Sequence, residues 1–64
     1  MSYEELYQAA QRQGFAGSYE EFRVAYNSYQ QLNPSTELQI QRLVRDNTFV
    51  YVMNQSLKQA YKSL

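Results

Sequence analysis

The chain contains no cysteine, no histidine and no tryptophan, and only one proline and two glycines. Without cysteine there is no disulfide, and without either cysteine or histidine there is no thiolate or imidazole metal site. The same absences remove the thiol nucleophile and the imidazole that would activate a serine. The five glutamates fall as Glu4-Glu5, Glu20-Glu21 and Glu37, at places where the start of a helix accounts for them. The expectation is therefore a protein that is not an enzyme, with no cofactor, no metal and no small-molecule substrate. No apolar run approaches the ~20 residues that span a bilayer, and the sequence opens on the acidic Ser2-Tyr3-Glu4-Glu5 instead of a basic leader. No membrane partner and a cytoplasmic location are expected.

A length of 64 residues allows one domain, 1–64. A chain of that size buries only about 60% of the surface its unfolded form exposes, which leaves stability marginal. With disulfide and metal both excluded, association with a copy or a partner is the remaining source of added stability. Net charge is zero, but residues 1–37 carry five acids and two bases, whereas residues 38–64 carry one acid and four bases. Such a polarised molecule favours head-to-tail contacts at low salt, although screening acts on exposed charges beyond about 8 to 10 Å.

What is present in quantity is helical periodicity. Tyr3, Leu6, Tyr7 and Ala10 follow the i, i+3, i+4, i+7 spacing of one helix face. Ser2 and Glu5 read as a capping box before it, and Gly14 as its stop. A second box, Ser18 to Glu21, opens a helix whose stripe is Tyr19, Phe22, Ala25, Tyr26, Tyr29 and Leu32, closed by Asn33-Pro34. The 16-residue offset between the boxes is shorter than repeat arrays use and predicts an antiparallel helix pair. A third helix follows Pro34, capped by Asn33 or Ser35, with Glu37 in its first turn and Leu38, Ile40, Leu43 and Val44 as its apolar positions.

Asp46-Asn47-Thr48 leaves two architectures open, because these residues cap helices well and sit poorly inside them. If the chain breaks there, a fourth helix runs from about residue 48 to 63 and the fold is a compact four-helix bundle. If it continues, one helix of about 29 residues reaches some 43 Å and projects beyond the other two. That long helix would carry a heptad row at Leu43, Val50, Leu57 and Leu64, flanked by Ile40, Asn47, Asn54 and Tyr61. Both versions are all-α, a small bundle of three to four helices.

The main candidate for function is Phe49-Val50-Tyr51-Val52-Met53. Five neighbours wound at about 100° per residue point all round a helix axis and leave it no solvent face. A small bundle shelters two or three of them, so the rest are expected at a protein interface together with Leu57, Tyr61 and Leu64. The seven tyrosines combine an apolar body with a polar tip and suit either half-buried core positions or contacts. A second class of reading takes Gln39, Arg42 and Arg45 as one face of a helix-turn-helix aimed at nucleic acid. Neutral net charge and the few bases nearby weigh against it.

The stretch Gly14-Phe15-Ala16-Gly17-Ser18-Tyr19-Glu20-Glu21-Phe22 resembles a short Gly-aromatic-x-Gly-Ser/Thr-x-acid-acid-aromatic segment of bacteriophage tail-fibre and other virion-associated proteins. The resemblance covers nine residues. It implies a phage-type structural or accessory protein, incorporated in a virion assembled in the host cytoplasm, with no catalytic residues. A phage-encoded inhibitor of a host protein would use the same contact physics.

Overall fold

The computed structural model describes residues 2–62. Among them are four helices and no strand: α1 (Tyr3–Arg12), α2 (Tyr19–Leu32), α3 (Glu37–Arg45) and α4 (Phe49–Lys62). The chain therefore breaks at Asp46–Thr48. The long projecting helix is not formed, and with it goes the heptad row from Leu43 to Leu57.

The break has a local cause. Asn47 adopts φ 60, the left-handed conformation that asparagine tolerates better than most residues. In that geometry the Asn47 N–H donates to the Val44 carbonyl at 3.3 Å and the Thr48 N–H to the Leu43 carbonyl at 3.1 Å. This pair of bonds is a Schellman closure, which gives two of the last helical carbonyls backbone donors. The end of α1 is built in the same way: Gly14 at φ 109 donates to Gln11, and Phe15 donates to Ala10 at 2.9 Å.

The helix starts follow capping chemistry with two departures from expectation. Ser18 and Glu21 form both halves of their box, whereas at α1 only the Ser2 half is made, its hydroxyl accepting from the Glu5 N–H. At α3 the cap is Thr36, boxed with Gln39, instead of Asn33 or Ser35. Ser35 is committed elsewhere, its N–H donating to the Gln30 side chain and its hydroxyl to the Asn33 carbonyl. The next hydroxyl along therefore takes the capping position.

The largest helix contact is between α2 and α4. Phe22, Ile40, Phe49 and Met53 are the largest wholly enclosed side chains, joined in the core by Leu6, Ala10, Phe15 and Ala25. Around Phe22 the rings of Tyr7, Phe15, Tyr26 and Phe49 gather at centroid distances of 5.6 to 6.0 Å. Tyr3 and Tyr19 extend the set through edge contacts to Tyr26 and Tyr7. Edge-to-face pairs of this kind add about 0.5 to 1.5 kcal/mol each beyond area burial. Tyrosine serves here because the tips find partners: Tyr7 donates to the Gly17 carbonyl at 3.0 Å, Tyr3 to Asn27, and Tyr26 accepts from Gln30. Gly17 is required for a steric reason, since a Cβ there would stand 2.9 Å from the Phe15 ring.

Candidate protein-binding surface

In the bundle, α4 turns Phe49, Met53 and Ser56 inward, while Val50, Val52 and Leu57 lie half-buried against the core. Phe49 and Met53 are therefore corrected from interface to core residues, because their ring and thioether fill the space beneath α2. Tyr51 behaves differently and stays 66% exposed. Its helical neighbours on the solvent side are Asn54, Gln55, Lys58, Tyr61 and Lys62, all exposed. Leu64 lies outside the described residues.

Tyr61 is fastened at its tip, its hydroxyl donating to Glu21 Oε2 at 2.9 Å. That bond ties the end of α4 to the start of α2. The Ser18 backbone N–H, helped by the Tyr61 hydroxyl, lowers the Glu21 carboxyl below its ordinary range, and the bond to Glu21 in turn raises the Tyr61 phenol. Tyr51 carries no such tether among the described residues. The face thus presents one loose aromatic ring, one fixed ring, two amides and two lysines. This is recognition chemistry: a rigid amphipathic ring, neutral hydrogen-bonding groups and mobile positive charge.

The residues of the nucleic-acid reading are all exposed on α3. Gln39 is occupied, its side-chain oxygen accepting from the Thr36 N–H at 2.9 Å. Arg45 approaches Asp46 through Nε at 3.6 Å. Arg42 has no ion-pair partner among the described residues, and with Leu38, Gln41 and Arg45 it lines a surface hollow of about 270 Å³. Leu38, taken from the sequence as an apolar position of α3, is 61% exposed. Another hollow, of about 280 Å³, is lined by Glu4, Tyr7, Gln8, Gln11 and Tyr19 on the outer side of α1 and the start of α2. No group of three or more carboxylates that could hold a metal ion occurs among the described residues. Among them, no helix is long and apolar enough to cross a membrane.

One residue had no signal in the sequence. Gln13 ends α1 and sends its amide across the molecule, donating through Nε2 to the Val44 carbonyl at 2.8 Å and accepting at Oε1 from the Val50 N–H at 3.2 Å. It caps the start of α4 from 37 residues away and so fixes the direction in which Tyr51 points. Within the stretch Gly14 to Phe22, the glycines, Ser18, Glu21 and the two phenylalanines each have a turn, capping or core task. Compared with known proteins, the chain matches no family model, no curated protein and no solved structure.

Proposed function

We propose that the protein is a non-enzymatic helical interaction module that docks on a protein partner, or on a copy of itself, through the outer face of α4. The observation that carries this reading is Tyr51. Its neighbours Phe49 and Met53 close the core, yet a ring of that size is left 66% exposed, with no partner for its hydroxyl among the described residues. Tyrosine is among the residues most enriched at binding hot spots, because it covers a large area at a small cost in side-chain entropy. Lys58, Tyr61 and Lys62 flank it as a polar rim, and Val50, Val52 and Leu57 supply apolar edges from their half-buried positions.

The likeness of residues 14–22 to phage virion segments favours a structural or accessory role in a particle, with inhibition of a host protein as a variant of the same reading. Nucleic-acid binding has less support, since Gln39 is committed to its cap and Arg42 stands almost alone. The test is partner capture from the native source with wild type and Tyr51→Lys, after circular dichroism has established equal helix content. Loss of the captured protein, or of self-association, in Tyr51→Lys supports the proposal. Unchanged capture by a folded Tyr51→Lys protein overturns it.

A further inference from the structure

We infer that the hollow on the outer side of α1 is a receptor for a guanidinium group, and that the group it receives is Arg42 of a second copy of this chain. It is lined by Glu4, Tyr7, Gln8, Gln11 and Tyr19, residues that carry one carboxylate, two amides and two phenol rings and no positive charge. Among the described residues, neither the side chains of Glu4, Gln8 and Gln11 nor the Tyr19 hydroxyl has a hydrogen-bond or ion-pair partner, while the Tyr7 hydroxyl is held by Gly17. Arginine matches this set better than lysine does. Its planar group offers five N–H donors to carboxylate and amide oxygens, and its face stacks on aromatic rings. The fold already pairs these groups once, with the Arg23 guanidinium 5.3 Å from the centre of the Tyr3 ring.

Arg42 is the natural source. It lies beside Leu38 and Arg45 in a hollow that contains no acidic side chain, and Leu38 adds apolar area that burial would remove from water. The acidic hollow belongs to residues 1–37 and Arg42 to residues 38–64, the two parts of opposite net charge. The contact cannot close within one molecule. Leu6 faces α3, sharing a hollow with Ile40 and Glu37, and Gln8 stands about 200° further round α1, with the body of the helix between it and Arg42. A contact between two different patches is heterologous, so it propagates into rings or open chains instead of stopping at a two-fold dimer.

Sedimentation equilibrium of the full chain at low ionic strength, from micromolar concentration to about 1 mM, tests the assignment. The apparent mass is expected to rise continuously with concentration and to fall with added salt. Glu4→Arg, Arg42→Glu and the milder Arg42→Gln should each weaken association at least about tenfold. An equimolar mixture of Glu4→Arg and Arg42→Glu should associate again, because each supplies what the other lacks. Association that is lost in Tyr51→Lys but survives both Glu4→Arg and Arg42→Gln would belong to the α4 face and overturn this assignment. A wild-type monomer throughout, a plateau at the dimer, association unchanged in the folded Arg42→Gln or Glu4→Arg protein, or no recovery in the mixture would overturn it.

Discussion

The two turns that connect α1 to α2 and α3 to α4 close the preceding helix with the same pair of backbone bonds, yet they start the following helix by different means. After α1 the left-handed residue is Gly14, and α2 carries its own capping box of Ser18 and Glu21. After α3 the left-handed residue is Asn47, and the Val50 N–H at the start of α4 is met by Gln13 from the far end of α1. One junction is assembled from neighbours in sequence, the other from tertiary structure. Each delivers a phenylalanine, Phe15 or Phe49, onto the same Phe22 ring.

Because Phe22 is shared, its loss should abolish the distinction. Phe22→Ala deletes a wholly buried ring that touches both junctions, at an expected cost of about 3 to 5 kcal/mol. A 64-residue domain has little stability to spare, so urea denaturation should find the variant largely unfolded in buffer. A cooperative transition close to that of wild type would mean that the two phenylalanines find other support.

Gln13→Leu sharpens the comparison by acting on one junction alone. It strands the Val50 N–H in a half-buried site, while the Val44 carbonyl keeps the Asn47 N–H, and an unmet group there costs about 1 to 3 kcal/mol. Amide exchange measured residue by residue should accelerate at Val50 and its neighbours in α4 and leave Ser18 to Phe22 unchanged. Uniform acceleration would show that the two junctions open together.

A smaller contrast separates the left-handed residues themselves. Gly14→Ala meets no atom within 4 Å, so its cost is the backbone term alone, about 1 to 2 kcal/mol. Asn47→Gly removes the corresponding strain while adding unfolded-state entropy, and the two should offset to within about 0.5 kcal/mol. Thermal denaturation of the two variants side by side checks the asymmetry.

The same contrast explains how far the sequence could be read. The starts of α1 and α2, the stop at Gly14, the end of α2 at Asn33-Pro34 and the inward tyrosines were legible because each is encoded within one or two helical turns. The break at Asn47 was open, since asparagine is permitted both inside and after a helix and only the achieved φ decides. The division of the run 49–53 into core and surface could not be read from the run itself. It depends on the rotation of α4, which Gln13 and Phe22 set from elsewhere in the chain. The hollow that gathers Glu4, Gln8 and Gln11 with Tyr7 and Tyr19 was hidden for the same reason, as it joins the outer face of one helix to the first residue of the next.

Acid should separate the junctions most gently. The cap of α2 rests in part on a charge, since Glu21 accepts from the Ser18 N–H and from the Tyr61 hydroxyl and is lowered below the ordinary carboxylate range by those bonds. A carboxyl lowered in the folded state contributes stability above its unfolded value, and that contribution is lost as pH falls through the folded value. At the other end, the Tyr61 phenol is raised by Glu21, so its contribution persists at neutral pH and disappears as the solution becomes alkaline enough to ionise it. The Glu21–Tyr61 link therefore persists from below the ordinary glutamate value to above the ordinary tyrosine value, about pH 4.3 and pH 10. Gln13 carries no ionisable group, and its bonds to Val44 and Val50 should not respond. Lowering the pH from neutral to about 3 should speed exchange at the Ser18 and Glu21 amides relative to Val50, after correction for the intrinsic pH dependence of exchange. Tyr61→Phe removes the phenol and should abolish the alkaline loss without moving Val50. A change at Val50 that tracks the one at Ser18 would instead mean that the shared Phe22 core, and neither cap, sets the stability of both turns.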